Sequence, residues 1–188
     1  TVDDLSCWLM PLLNTPAQIK AAQKFADRIL RPAQGLIAVS EAVRQDAIRV
    51  LGIAPENITT IYPGVSAEFF DAQPVPRQRP YVLALGGDDP RQNVEMVRKA
   101  WQTLKPELHD CFDLVVDGAP TPALMAGATL LVDVPLYAGF AHPVAQAMAA
   151  GVAVVTSDSS SMPEVGRDAA VMVDPHSVPE SAAAIARL

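Results

Sequence analysis

The residues best suited to chemistry lie in one stretch, Leu136-Tyr137-Ala138-Gly139-Phe140-Ala141-His142-Pro143-Val144-Ala145-Gln146-Ala147-Met148-Ala149-Ala150-Gly151. Gly139 allows the backbone to approach a ligand closely, and Pro143 sits where a first helical turn tolerates proline. The leading N–H groups of a helix have no intrahelical acceptor and favour negative charge. Gly139, Phe140 and Ala141 are therefore a candidate site for an anion or a hydroxyl. Gln146 follows on the same helix and can exchange hydrogen bonds with a ligand hydroxyl, but it carries no charge. His142 reads as a surface residue at the helix start.

A second constellation is Gly86-Gly87-Asp88-Asp89-Pro90-Arg91-Gln92-Asn93, a glycine loop between a strand and a helix, with Arg91 as its cation. Such a unit opens a nucleotide-binding α/β half. It lacks G-x-G-x-x-G, which argues against a dinucleotide cofactor. No carboxylate pair with acid–base spacing and no Ser/His/Asp order emerges. Cys7 and Cys111 are far apart, and His109, His142 and His176 do not cluster, so no metal site is indicated. Positioning and anion stabilisation are the chemistry that remains.

The elements that must hold these groups follow from hydrophobic patterning. Apolar runs at Thr129–Val134 and Val152–Val155 bracket the first stretch and read as buried parallel strands. Tyr81–Leu85 is a strand, and Arg91–Leu104 reads as one helix with Val94, Val97, Ala100, Trp101 and Leu104 inward. Upstream, Thr15-Pro16 opens a helix, Gly35–Ser40 is a short strand whose Ser40 caps the next helix, and Gly52 ends that helix. Ile58–Ile61 is another strand. Ser161 and Glu164 have capping-box spacing, Ala169–Val173 is a strand, and Pro179–Leu188 a helix. Gln73–Pro80, rich in proline, reads as a linker.

The chain has 188 residues, 50% hydrophobic and 19% charged, with a net charge of −7. That suits one or two compact domains. No apolar run reaches the ~20 residues of a membrane span, and no signal peptide opens the sequence. Without a Lys/Arg cluster, nucleic acid is not an expected partner. The two cysteines read as core thiols in a reducing cytoplasm. One junction is anomalous. Only Ala119–Gly127 lie between Gly118 and the strand that begins at Ala128, whereas a parallel crossover takes a dozen or more residues. A missing segment near 119–123 is expected, marked by a Cα–Cα separation well beyond ~3.8 Å between neighbours.

Leu136–Met148 resembles the E-G-F-G-x-P-x-x-E-A-M segment of retaining GT-B glycosyltransferases of the family 4 type. Gly139, Phe140, Pro143, Ala147 and Met148 are kept, while Ala138 and Gln146 stand where that family has its two glutamates. One of those glutamates contacts the transferred sugar and the other the donor ribose. The likeness continues in Ala38-Val39-Ser40-Glu41 through Leu51-Gly52-Ile53, in Tyr62-Pro63-Gly64-Val65, and in Ser161-Met162-Pro163-Glu164-Val165. Pro90-Arg91-Gln92-Asn93 has Gln92 for the family's pyrophosphate-binding lysine, and Gly86 stands at the place of an arginine. Asp3-Asp4-Leu5-Ser6 lies where many members have His-Asp-Leu-Ser.

The resemblance implies an α/β GT-B fold. Residues 1–72 would be part of an N-terminal, acceptor-side Rossmann-like domain, 73–80 the linker, and 81–188 the C-terminal donor-binding domain. It implies a cytoplasmic enzyme moving a hexose from a nucleotide-diphosphate sugar to a saccharide or lipid-linked acceptor with retention. The donor is a substrate; no cofactor and no metal are expected, and membrane association would be peripheral, through regions absent here. Asp4, Ala138 and Gly139 fall at catalytic positions. Gly86, Gly87, Arg91, Gln92, Phe140, Ala141 and Gln146 fall at donor-binding ones. The replaced charges at Gly86, Gln92, Ala138 and Gln146 also allow a second reading, a catalytically weakened binding or partner subunit.

Overall fold

The computed structural model describes residues 1–187; Leu188, expected at the end of the last helix, lies outside the described residues. The chain is α/β with two parallel sheets. The first half begins with α1 (Ser6–Leu9) and α2 (Pro16–Phe25). Thr15 caps α2 in a full capping box with Gln18. Strand β1 (Leu36–Ala38) leads through Ser40, whose hydroxyl accepts from the Val43 amide, into α3 (Glu41–Asp46). A continuing turn over Ala47–Leu51 ends at Gly52, whose φ of 69° needs a residue without Cβ strain. Strand β2 (Ile58–Thr60) pairs in parallel with β1, and Val2 adds an isolated bridge to Ala38.

The linker is exposed but pinned. Arg79 pairs with Asp113 at 2.9 Å, and Arg77 lies over the Tyr81 ring. The second half follows: β3 (Tyr81–Leu85), α4 (Val94–Gln102), α5 (Pro106–Cys111), β4 (Asp113–Asp117), α6 (Pro122–Ala126), β5 (Leu130–Asp133), α7 (His142–Ala149), β6 (Ala153–Ser157), α8 (Met162–Gly166), β7 (Val171–Val173) and α9 (Val178–Ile185). All its strand pairs are parallel, in the order β4-β3-β5-β6-β7. This is the doubly wound order without its outermost strand on the β4 side. Side chains of β3 alternate between two cores. Tyr81, Leu83 and Leu85 join Leu131, Val144 and Met162 on one face; Val82 and Ala84 join Val97, Val132 and Ile185 on the other.

Three expectations need correction. The helix expected from Arg91 starts only at Val94, because Asn93 takes a left-handed φ of 57°. Its amide group donates to the carbonyls of Val134 (3.2 Å) and Pro175 (2.7 Å), tying the helix start to the ends of β5 and β7. Ser161 does not cap α8. Neither cysteine is core: Cys111 is exposed and Cys7 half-buried. The connection between β4 and β5 is short. Thr121 caps α6, and this single short helix carries the chain from β4 across β3 to β5. The crossing remains shorter than such connections usually are.

Candidate active site

The sheet order places the site. Connections leave β3 toward β4 on one side and β5 toward β6 on the other, so β3 and β5 flank the topological switch point. Ligands of open α/β sheets bind outside the carboxyl ends of the strands at that point. A cavity of about 230 Å³ lies there, lined by Leu85 and Asp133 from the strand ends. Asp89, Arg91, Gln92 and Gly118 line it from the second half's loops, Pro135, Tyr137, Ala138, Gly139 and Pro143 contribute most of another wall, and Asp4 comes from the first half.

The loop after β5 is held by its carbonyls. Ser157 Oγ donates to Pro135 O (2.8 Å), Ser160 and Ser161 Oγ donate to Ala138 O (2.7 and 2.9 Å), and Ser40 Oγ donates to Gly139 O (2.6 Å). Among the described residues, no protein acceptor takes the N–H of Gly139, Phe140 or Ala141. Gly139 is the residue of this turn that faces the cavity. The glycine is required, since a Cβ would collide with the Asp3 carbonyl. Tyr137 receives the Leu5 N–H on its buried hydroxyl at 3.3 Å, a second backbone tie between the halves.

Arg91 sits at the centre of an ion network. Its Nε donates to both carboxylate oxygens of Asp89 (3.0 Å each) and Nη2 to Asp89 Oδ2 (2.6 Å). Nη1 reaches across to Asp4 Oδ2 (2.7 Å) and Ser6 Oγ (2.8 Å). Hydrogen bonding to Asp89 raises the Arg91 pKa, and the same bond holds the Asp89 carboxyl below its usual range. The guanidinium is thus already paired with two carboxylates before any ligand arrives.

Of the residues singled out in the sequence, Asp4, Arg91, Gln92, Ala138 and Gly139 meet at this cavity. The others lie elsewhere. Gly86 lets Val94 and Val116 pack close, and Gly87 abuts the Gln92 side chain. Phe140 packs into the first half's core and meets the Tyr62 and His142 rings. Ala141 is buried in the second half's core, and Gln146, half-buried on α7, is outside the cavity wall.

Two residues escape sequence reasoning. Asp133 is 5% exposed and lines the cavity. Its signal was a single carboxylate closing an apolar run at a strand's carboxyl end. Glu164 does not cap its own helix. Its carboxylate accepts from the Glu41 and Ala42 amides (2.8 and 3.0 Å), capping α3 of the other half, and from Tyr62 Oη (3.0 Å).

Comparison with known proteins decides the family. The model of the family described as "Glycosyl transferases group 1" matches residues 67–188, and that of "Glycosyltransferase Family 4" matches 14–69. The chain belongs to the group 1 glycosyltransferases. It is 25% identical to O-antigen chain mannosyltransferase B of Escherichia coli and 27% identical to an MMP alpha-(1->4)-mannosyltransferase of Mycolicibacterium hassiacum. These matches take in 95% and 96% of this chain but 57% and 51% of the relatives, so the chain spans little more than half their length. The fold agrees with HepE of Anabaena, solved with UDP-glucose (TM-score 0.75, 18% identity, 95% of this chain, 59% of that one). It agrees also with WaaG, a glycosyltransferase involved in lipopolysaccharide biosynthesis (TM-score 0.73, 14% identity, 96% and 63%). The GT-B fold expected from the resemblance is therefore the one observed. The match to the E. coli protein runs over 218 aligned positions, more than this chain's 188 residues, so that relative carries residues within the matched stretch that this chain lacks.

Proposed function

We propose that this chain forms part of a cytoplasmic glycosyltransferase that moves a hexose from a nucleotide-diphosphate sugar to a saccharide or lipid-linked acceptor, with retention and without a metal or cofactor. The observation that carries the reading is the cavity at the switch point, walled by Gly139 with its unpartnered amide and closed by Asp4 from the other half. Such an amide pre-organised beside a helix start can receive charge that develops on a leaving phosphate. The mannosyltransferase relatives and the UDP-glucose complex of HepE support the substrate class. The same relatives support a role in polysaccharide assembly. The short crossover near 119–123 and the absent outermost strand of the second sheet support a strand and helix missing there, and the E. coli match is longer than this chain.

A panel of UDP- and GDP-sugars, titrated and assayed for transfer with the full-length protein, tests this reading. Saturable binding of one nucleotide sugar with turnover supports it. One observation favours the alternative, a weakened partner subunit. Asp4, Asp89 and Asp133 share the cavity with Arg91, its one lining cation, which Asp4 and Asp89 already occupy. A pyrophosphate entering there meets little free positive charge. Absence of nucleotide binding at about millimolar concentration, an affinity of roughly 4 kcal/mol, would favour that reading.

A further inference from the structure

One carboxyl on the cavity wall has no hydrogen-bond partner. Asp133 is 5% exposed, and no side chain or backbone group of the described residues hydrogen-bonds its carboxyl. Gln92 Oε1 is likewise buried without a partner. Both residues line the same cavity. Buried polar groups in proteins are nearly always paired, so an unpaired carboxyl and an amide side chain lining one hollow mark a place for the ligand's own polar groups.

The position of Asp133 is fixed by the fold. On β5, Leu131 fills the core face with Leu83 and Leu85 of β3. Alternation along the strand puts Asp133 on that same face one step further, where the sheet ends and the cavity begins. Burial alone, with nothing to offset it, pushes its carboxyl up to about 7. Near neutrality it therefore offers both accepting and donating forms, suited to a neutral hydroxyl rather than to a phosphate.

We propose that Asp133 and Gln92 hold hydroxyl groups of the sugar moiety of the bound nucleotide sugar, making Asp133 the specificity-determining carboxyl of this site. This rests on the donor class proposed above, and it adds a residue that no motif in the sequence marks. It places the sugar against the β5 strand end and leaves the phosphates to the wall formed by Gly139.

The test compares each nucleoside diphosphate with its sugar derivative, by calorimetric titration of UDP, UDP-glucose, GDP and GDP-mannose into wild type, Asp133→Asn and Gln92→Leu. Circular dichroism and melting checks show whether each variant is folded; Gln92→Leu is half-buried and keeps the inference testable should Asp133→Asn fail to fold. The wild type is expected to bind one sugar derivative more tightly than its diphosphate. The variants are expected to lose about tenfold for that derivative while the diphosphate changes by less than about twofold, the loss of a hydrogen bond involving an ionisable group. Equal losses for diphosphate and sugar derivative, or no change in either variant, would overturn the role of Asp133 and Gln92 while leaving the donor class standing. A wild type that binds none of the four would overturn the donor class, and this inference with it.

Discussion

Gly139 and Asp3 touch backbone to backbone: any Cβ at position 139 would fall on the Asp3 carbonyl oxygen. The two residues lie on opposite halves of the molecule, so this contact sets how closely the halves approach. Gly139→Ala is expected to push the Asp3–Asp4 loop away from the cavity. The cost should be about 1–3 kcal/mol, the usual range for overpacking a tight site, read from the urea midpoint. Loss of ligand binding should accompany it, because Asp4 moves with the loop.

Glu164 gives a second test of how the halves are joined. Its carboxylate satisfies two free amides at the start of α3. Glu164→Ala should cost ~1 kcal/mol, as other helix-cap removals do. Glu164→Gln should recover part of that, since an amide oxygen still accepts. Chemical denaturation of the three proteins at one pH measures both differences.

The sequence made much of this legible, and the reason for each failure is physical. Strands β3, β5 and β6 are apolar runs, and the turn at Gly139 has glycine and proline at diagnostic places. Sequence spacing says nothing, however, about partners 123 residues apart, and so the capping-box spacing of Ser161 and Glu164 points to the wrong helix. The sequence shows Arg91 as the cation of its loop but not that Asp4, 87 residues away, pairs with it from the other half. Asp133 hid inside an apolar run because periodicity marks a strand without showing that its last residue leaves the core. The left-handed Asn93 was invisible because Asn occurs both in helices and in such turns.

The Arg91–Asp89 pair predicts an acid-side effect. Hydrogen bonding to Arg91 lowers the Asp89 pKa below its unfolded value. A depressed acid contributes stability that is fully present above the unfolded pKa, ~3.9, and is lost as pH falls through the folded value. Arg91→Met should therefore destabilise the protein at pH 7, and the gap from wild type should narrow below about pH 4. Urea midpoints at the two pH values check this.

Asp133 predicts the opposite sign. Its folded pKa, raised to about 7 by burial, exceeds the unfolded value, so the native state holds the proton more tightly. Stability should fall as pH rises from about 4 to about 7 and level off above that. The penalty should be no more than about 4 kcal/mol. Asp133→Asn removes this slope, so the variant should gain on wild type as pH increases across that window. Arg91, Asp4 and Asp89 share the cavity in both proteins, and their contribution cancels in the comparison.

The β1–β2 sheet is only two strands wide, and Ile37 in its middle is 39% exposed. Parallel strands are stable when covered on both faces, and a two-stranded ribbon alone is marginal. What completes this half comes from the other side of the linker. Phe140 packs against its core, Glu164 finishes α3, Gly139 receives Ser40, and Arg91 anchors Asp4. The chain should consequently melt as one cooperative unit despite its bilobal plan, and cutting it within residues 73–80 should leave the leading piece without a native state of its own.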